Sequence, residues 1–252
     1  MTTKPLEGRI ALITGASRGL GRAMAVALAQ GGAKLALVAR DKDKLEETAA
    51  EVVAAGSEAR IFIADVAREA DVERLKHEVA QAYGHVDILI NNAGINNRKH
   101  LVDFTLEEWQ LVMDTNVTSV FLMCRAFIPM MKGRGYGRII NMTSIMAHVS
   151  LPGRTVYSTT KTALLGLTRA LAQELAPDAI TVVGISPGPF GTEMNIPIMQ
   201  NPEINAQFMS KIPLGRWGKV EEIGQLALFL CSDGAGFITG TDILIDGGWC
   251  AQ

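Results

Sequence analysis

A tyrosine and a lysine four positions apart, with a serine thirteen residues before the tyrosine, could carry acid–base chemistry. They are Ser144, Tyr157 and Lys161, and the segment around the last two has helical periodicity, so their side chains share a face. A phenol with a pKa of about 10 exchanges protons poorly at neutral pH, but a nearby ammonium lowers that pKa. The phenol could then take a proton from an alcohol or return one to a carbonyl. A solvated surface pair is the alternative interpretation.

Short apolar segments alternate with longer amphipathic ones along the chain, which predicts βαβ units around a parallel sheet. We expect strands at Arg9–Thr14, Lys34–Ala39, Ala59–Ala64, Asp87–Asn91, Arg138–Thr143, Ile180–Ile185 and Ile243–Asp246. We expect helices at Leu20–Gln30, Lys42–Ala55, Asp71–Tyr83, Leu106–Lys132, Tyr157–Ala176 and Val220–Cys231. The pattern predicts one doubly wound domain over residues 1–252, with a mobile insertion at about 190–217.

The amino-acid composition is that of a globular protein with no nucleic-acid or membrane signature. The chain has 252 residues, of which 48% are hydrophobic and 20% charged, as in globular proteins with a large core. A formal charge of −2 gives no reason to expect nucleic acid or an anionic membrane as a partner. The cysteines, Cys124, Cys231 and Cys250, form neither a disulfide framework nor a zinc pattern. With no apolar leader and no membrane-length apolar run, the sequence predicts a cytoplasmic protein.

A glycine-rich turn follows the first expected strand and opens the first expected helix. Glycines there allow a tight turn and a close approach of the backbone to a pyrophosphate, which the helix N-terminus attracts. The spacing G-x-x-x-G-x-G differs from the usual G-x-G-x-x-G, and a turn without a ligand is the alternative. The residues expected to bind the cofactor here are Gly15, Ser17, Arg18, Gly19, Leu20 and Gly21.

The end of the second strand bears on the choice of nucleotide. Folds that bind NAD usually carry an acidic residue there to hold the ribose 2′-hydroxyl, whereas this strand ends in Ala39-Arg40. Arg40, with Arg18 from the glycine turn, suits a 2′-phosphate, so we expect NADP. Asp41 could still serve a ribose, which leaves NAD as the less favoured alternative.

Four motifs occur in order at the expected elements. They are the glycine turn, Asn91-Asn92-Ala93-Gly94 after the fourth strand, Ser144, and Tyr157-x-x-x-Lys161. Together they make the chain resemble the short-chain dehydrogenase/reductase family from its first strand to Gly247-Gly248. The resemblance implies a Rossmann-type α/β domain, doubly wound, whose seven-stranded parallel sheet has helices on both faces.

The resemblance also implies roles for individual residues. Tyr157 would be the catalytic acid–base, and Lys161 would lower its pKa and hold the nicotinamide ribose. Ser144 would bind the reacting oxygen, and Asn116 would anchor a water in a proton relay through Lys161. Further cofactor contacts would come from Asp65, Val66, Asn92, Gly94, Pro187, Gly188 and Thr192.

The substrate is a small alcohol or carbonyl compound by the same resemblance. Arg98 and Arg154 lie in segments expected to line the pocket and suit an anionic group, and His148 could donate a hydrogen bond there. Solvated rim arginines are the alternative. Asn91–Arg98, Pro213–Gly218 and Asp246–Trp249 look like sugar-acid dehydrogenases of this family, of the gluconate 5-dehydrogenase and 2-deoxygluconate 3-dehydrogenase type.

Three other functions stay open at this point. A 3-oxoacyl-[acyl-carrier-protein] reductase would suit the glycine turn with Arg18 and Arg40. It would also want a basic patch near the mouth, and nothing in the sequence places the basic residues Lys132, Arg134 and Arg138 there. A broad-scope ketone reductase would suit the methionines of the insertion, Met194, Met199 and Met209. A non-catalytic cofactor-sensing module would not need the complete set of Ser144, Tyr157, Lys161 and Asn116.

We expect no catalytic metal, because the histidines are scattered and none are paired at metal spacing. The terminal Gln252 resembles the end of some family members in which its carboxylate lies near a structural magnesium. The family resemblance implies a homotetramer, and helices Leu106–Lys132 and Tyr157–Ala176 carry apolar residues on more than one face.

Overall fold

The computed structural model of the protein describes residues 4–251, and its strands form one seven-stranded sheet. The strands are β1 Ile10–Thr14, β2 Lys34–Ala39, β3 Ala59–Ile63, β4 Ile88–Asn91, β5 Gly137–Met142, β6 Ile180–Pro187 and β7 Asp242–Ile245. Their order is β3-β2-β1-β4-β5-β6-β7, and each neighbouring pair is parallel. The order reverses between β1 and β4, and ligands of such sheets bind outside the carboxyl ends at that point. The expected doubly wound fold is confirmed.

The helices follow the expected positions, except that one expected helix is interrupted and the insertion adds two short helices. They are α1 Gly19–Gln30, α2 Lys42–Ala54, α3 Glu69–Tyr83, α4 Leu106–Met113, α5 Ser119–Met131, α6 Thr155–Leu175, α7 Ile196–Met199, α8 Pro202–Met209 and α9 Val220–Cys231. The single helix expected over Leu106–Lys132 contains a π-helical turn at Asp114–Thr118, between α4 and α5. Such turns are rare and often occur at functional sites, and this one carries Asn116.

The sheet is buried on both faces, as its nearly continuous apolar strands predict. Along β1, Ala11 and Ile13 pack with residues of α1, α2 and α9, whereas Leu12 packs with residues of α3, α5 and α6. Successive side chains of a strand point to opposite faces, so one apolar strand supplies both layers. The two helical layers hold the carboxyl ends of the strands in fixed register.

The insertion after β6 folds over the carboxyl edge of the sheet. A short 3₁₀ turn at Glu193–Asn195 leads into α7 and α8. The Phe208 ring stacks on Trp217 with centroids 5.8 Å apart and meets Trp249 at 5.5 Å. These aromatic contacts tie the insertion to the C-terminal segment, so that it forms one wall of the cleft described below.

The segment Leu106–Met131 satisfies the length and composition of a membrane-spanning helix, with a mean hydropathy of 1.4 in its most apolar window. Half of that window is buried inside the domain, where α5 packs against α3 and β4. Core helices of globular domains have the same length and composition. Leu106, Leu111 and Phe121 nevertheless remain exposed on this segment.

Candidate active site

One cleft of about 840 Å³ runs along the carboxyl ends of the strands. Its lining includes all the site residues expected from sequence except three, which are Gly21, Asn116 and His148. The cleft passes from the end of β2, across the turn between β1 and α1, to the first turn of α6. The fold therefore brings residues from most of the chain to one place, as doubly wound sheets generally do.

Tyr157 and Lys161 lie at the inner end of this cleft, on the first turns of α6. The Lys161 Nζ is 5.6 Å from the centroid of the Tyr157 ring and donates a hydrogen bond to the Met142 carbonyl oxygen at 2.6 Å. Lys161 is buried, whereas Tyr157 is partly accessible from the cleft. Burial lowers the pKa of the Lys161 ammonium to about 8. A lysine with this pKa exchanges protons readily near neutral pH.

Ser144 follows β5 and meets Tyr157 across the cleft floor. Its hydroxyl is hydrogen-bonded to the Tyr157 phenol and also accepts a bond from the Met146 backbone N–H at 3.1 Å. The second bond caps a short 3₁₀ turn, Ile145–Ala147, which fixes the serine rotamer. The serine hydroxyl and the tyrosine hydroxyl are thus placed to meet the same oxygen atom of a substrate.

The groups that set the pKa of Tyr157 differ from the one expected. We expected Lys161 to lower the pKa of the phenol, but burial dominates and raises the pKa of Tyr157. The hydrogen bond from Ser144 and the positive charges of Arg154 and Arg98 oppose this rise. Lys161 is not among the groups that oppose the rise, and its ammonium donates to the Met142 carbonyl oxygen.

Asn116 lies behind the cleft rather than in it. Its side-chain Oδ1 accepts from the Ile95 N–H at 2.8 Å, and its Nδ2 donates to the Ile95 carbonyl at 2.9 Å and to Thr160 Oγ1 at 3.1 Å. A Cβ added to Gly94 would lie 3.3 Å from Asn116 Oδ1 and 3.6 Å from Lys161 Nζ. Asn116 therefore joins the backbone after β4 to α6, and its place in a proton relay stays a prediction.

The glycine turn suits the pyrophosphate of a dinucleotide. The cap residue of α1, Arg18, makes no side-chain cap hydrogen bond, and the first turn of α1 has no acidic residue. The helix N-terminus can therefore receive an anion. Gly21 faces away from the cleft, because a Cβ there would lie 2.3 Å from the Gly15 carbonyl oxygen. Gly21 thus allows the close packing of α1 on the turn, and its contact with a cofactor stays a prediction.

The outer end of the cleft, beyond β2, is rich in cations. Arg40 lies 3.8 Å from the Asp65 carboxylate, while Arg18 and Lys44 approach the Glu193 carboxylate at 3.2 and 3.7 Å. Asp41 caps α2 by accepting a hydrogen bond from the Lys44 N–H at 3.2 Å. The cap uses one oxygen of this carboxylate, and Asp41 also lines the cleft. The cations of this cluster suit an anionic group of a cofactor.

The remaining cofactor residues expected from sequence also line the cleft. They are Ser17, Gly19, Leu20, Val66, Asn92, Pro187, Gly188 and Thr192. Asn92 has a further structural role, since its Nδ2 donates to the carbonyl oxygens of Thr14 and Gly15 at 2.9 and 3.1 Å. It thereby fixes the glycine turn against β4.

The inner end of the cleft carries both expected arginines. Arg154 is partly buried and lies 3.5 Å from Asn96 Oδ1, and no carboxylate among residues 4–251 is within ion-pair distance of it. Arg98, more exposed at the rim, donates to Asn195 Oδ1 at 3.0 Å. Desolvation lowers the pKa of both guanidinium groups, which nevertheless remain charged at neutral pH. Two positive charges thus flank Tyr157.

His148 is the site residue that the structure corrects. It was expected to face the substrate, but its Nε2 lies 2.7 Å from Asp242 Oδ2 and 3.2 Å from Ser186 Oγ, outside the cleft. Two of the insertion's three methionines also differ from expectation, and the side chain of Met194 lies outside the described part of the structure. Met199 and Met209 do not line the cleft, and the insertion contributes Ile198 and Phe208 instead.

Sequence reasoning missed several lining residues. Lys44, Asn96, Asn195 and Trp249 belong to the cleft but were given no role of their own, although Asn96 and Trp249 lie within motifs quoted above. Lys44 could have been found from its place in the first turn of the helix after β2. The others are brought to the cleft by loops whose path only the tertiary structure defines.

No cluster of three or more metal-ligating side chains occurs within residues 4–251. The weak magnesium expectation concerned Gln252, which lies outside the described residues.

Comparison with known proteins agrees with the geometry. A family model described as enoyl-(acyl carrier protein) reductase, one of those for short-chain dehydrogenases/reductases, matches residues 15–250. A 3-oxoacyl-[acyl-carrier-protein] reductase of Synechocystis is 38% identical over 96% of this chain and 97% of its own. Gluconate 5-dehydrogenase of Gluconobacter oxydans is 36% identical over 96% of this chain and 95% of its own.

A solved structure from Agrobacterium tumefaciens shares the whole fold. It is named provisionally as a 2-deoxy-D-gluconate 3-dehydrogenase and has NADP bound. It is 35% identical to this chain, covers 100% of both chains and has a TM-score of 0.91. The chain therefore belongs to the short-chain dehydrogenase/reductase family of NAD(P)-dependent oxidoreductases.

Proposed function

We propose that the protein is an NADP(H)-dependent oxidoreductase that interconverts a secondary alcohol and a ketone on a sugar acid of the gluconate type. The observation that carries this proposal is the pair of arginines beside the Ser144–Tyr157 centre. A ketone bound with its oxygen at the two hydroxyls would place a carboxylate within reach of Arg98 and Arg154. Arginine's planar fork suits a carboxylate, and partial burial strengthens such a bond.

The proton chemistry follows from the side chains at the cleft floor. In the direction of reduction, the Tyr157 hydroxyl donates its proton to the ketone oxygen, and the Ser144 hydroxyl stabilises the charge that develops there. When bound, the nicotinamide supplies the hydride chemistry. Lys161, whose pKa is lowered to about 8, can return a proton toward Tyr157 between turnovers. In the direction of oxidation, Tyr157 takes the proton of the alcohol.

The preference for NADP over NAD rests on charge at the outer end of the cleft. Arg18, Arg40 and Lys44 provide three cations, and the one nearby acidic residue of the β2–α2 connection, Asp41, caps α2. A 2′-phosphate would be attracted by the cations, whereas a ribose hydroxyl would meet only Asp41, one of whose oxygens is used in the cap. The NADP bound to the relative from Agrobacterium tumefaciens supports the same preference.

Similarity to 3-oxoacyl-[acyl-carrier-protein] reductases supports the acyl-carrier alternative, but the basic residues that could bind a carrier protein do not lie near the cleft. Lys132 pairs with Asp178 at 3.0 Å, Arg134 approaches Asp87 at 3.4 Å, and Arg138 is buried. All three lie before or at the amino end of β5, which is the edge of the sheet opposite the cleft. A carrier protein docked on them would not deliver its acyl group to Tyr157.

A rate comparison tests the proposal. Purified enzyme would be assayed with 5-ketogluconate, gluconate, an acetoacetyl thioester and simple neutral ketones, each with NADP(H) and NAD(H). We expect the highest kcat/KM for the sugar acids with NADP(H). A clear preference for the thioester would favour the acyl-carrier function, and a preference for neutral ketones would refute the role given to the arginines.

We also propose that the enzyme is a cytoplasmic homotetramer. Phe121, Phe229, Phe237 and Leu244 are large apolar side chains that stay exposed on the isolated chain, Phe237 fully so. Exposed apolar side chains of this kind are typical of subunit interfaces. A light-scattering mass of one chain would contradict the assembly.

A further inference from the structure

A polar cluster behind the catalytic serine centres on Asp242, the first residue of β7. Its carboxylate receives a hydrogen bond from the Thr143 hydroxyl at 2.5 Å and from the Ser186 hydroxyl at 2.6 Å. The His148 Nε2 lies 2.7 Å from the same carboxylate. The Asp242 side chain is only 9% exposed, and Thr143 and Ser186 are buried. A carboxylate held by three donors at this depth is rigidly placed.

Gly184 on β6 leaves room for this carboxylate, because it has no side chain. Asp242 pairs with Gly184 on β6, and a Cβ added to that glycine would lie 2.0 Å from Asp242 Oδ1. Any side chain at position 184 would therefore displace the carboxylate. The absence of a side chain lets Asp242 reach across β6 to Thr143 at the end of β5.

The partners of Asp242 flank the reaction centre on both sides. Thr143 directly precedes Ser144, and His148 directly follows the 3₁₀ turn that Ser144 caps. The same carboxylate thus holds both ends of the segment that carries the catalytic hydroxyl. Ser186 directly precedes Pro187 and Gly188, which line the cleft at its cofactor side.

The cluster is not a hydrolytic triad. A single nitrogen of His148, Nε2, faces both Asp242 and Ser186, so the ring cannot pass a proton from one group to the other. Ser186 is also fully buried and cannot meet a substrate. Its chemistry is that of a fixed hydrogen-bond hub.

We propose that Asp242 and His148 are positioning residues, which fix the Ser144 hydroxyl against Tyr157 and against the backbone of Pro187–Gly188. They do so by anchoring Thr143 and the turn after Ser144 to the edge strand β7. This inference rests on the proposed function only in the role given to Ser144.

A double-mutant cycle tests the inference in the full-length enzyme. H148L removes the donor, H148Q replaces it with an amide N–H of similar reach, and S144A removes the positioned hydroxyl. The matched control is H77L, at an exposed histidine of α3 outside the cleft. Turnover would be normalised to NADPH-binding sites counted by fluorescence titration, so that partial unfolding does not enter kcat.

We expect H148L to lower kcat about 10-fold with little change in KM or in NADPH affinity, since small misplacements at a reaction centre cost turnover. H148Q should restore most of the rate, and H77L should have none of these effects. In the S144A background H148L should have no further effect. An equal loss in both backgrounds, or an unchanged kcat in H148L, would overturn the inference.

A second measurement does not need turnover. The chain has three tyrosines, so the phenol of Tyr157 can be titrated by NMR with ring-labelled tyrosine and assigned with Y157F. Because the Ser144 hydrogen bond favours the phenolate, Tyr157 should ionise at higher pH in both H148L and S144A. An unshifted titration in H148L would refute the positioning role, even if no tested carbonyl were reduced. Absence of turnover with every carbonyl would instead refute the proposed function.

Discussion

Replacing Arg154 by methionine should separate charged from neutral substrates. The Arg154 guanidinium is partly buried beside Tyr157, and no carboxylate of residues 4–251 competes for it. A hydrogen bond to a charged group contributes about 1.5–3 kcal/mol. Taking about 2 kcal/mol, R154M should lower kcat/KM for a sugar acid about 30-fold. R98M should lose about fivefold, since Arg98 is more exposed at the rim.

The assay compares 5-ketogluconate with the best neutral ketone of the panel. R154M should spare most of the activity toward the neutral ketone, which has no carboxylate to lose. R169M is the matched control, because Arg169 is exposed on α6, the helix that Arg154 directly precedes, and lies outside the cleft. Equal losses for both substrates would show that Arg154 does not bind the substrate's anion.

The same variant should move the pH profile in a defined direction. Arg154 lowers the pKa of Tyr157, so its removal raises that pKa. Reduction needs the protonated phenol and should therefore persist to higher pH in R154M. Oxidation needs the phenolate and should slow at neutral pH. A basic limb that moved to lower pH would contradict this electrostatic role.

Three further outcomes are expected. Y157F should abolish turnover while NADPH still binds, because the phenol handles the proton and the cleft is otherwise unchanged; measurable steady-state reduction would reject its acid–base role. R40A should raise KM for NADPH about fivefold and leave KM for NADH nearly unchanged, since an exposed cation meets only the 2′-phosphate; equal changes with both cofactors would argue against that contact. Lys161 is buried, and its pKa is lowered from 10.5 to about 8. Between those pH values this lysine binds more protons in the unfolded chain than in the native state. Its contribution to native stability therefore increases as the pH rises through that range. Burial raises the pKa of the Cys124 and Cys231 thiols, which opposes this gain, so the test is the difference in unfolding free energy between the wild type and K161M. In urea unfolding that difference should grow with pH by up to about 1.4 kcal/mol per pH unit, and parallel curves would contradict it.

The order of elements was predictable because it depends on local patterns. Apolar runs such as Ile10–Ile13 predict buried parallel strands, and the observed β1 to β6 begin and end within two residues of the expected bounds. The interruption at Asp114–Thr118 was not predictable, since a π-helical turn shifts the helical phase by about one residue and a segment with apolar residues on more than one face does not reveal such a shift. Its position follows from the contacts of Asn116 with Ile95 and Thr160, which are distant in sequence.

The residues that do chemistry were also predictable, but their electrostatics were not. Ser144, Tyr157 and Lys161 have side chains and spacing that indicate proton transfer, whatever the path of the chain between them. The direction in which the pKa of Tyr157 moves depends on burial and on arginines from two separate loops. Such terms are sums over neighbours in space, which a linear pattern does not contain.

The sequence by itself determined the fold class, the family and the set of groups able to move a proton, because each depends on short motifs and on periodicity. Only the tertiary structure decided that His148 turns to Asp242 and away from the cleft, and that Asp41 caps a helix. It also decided that the basic residues before β5 lie at the far edge of the sheet. The physical reason is that a polar side chain has several possible partners, and packing selects among them.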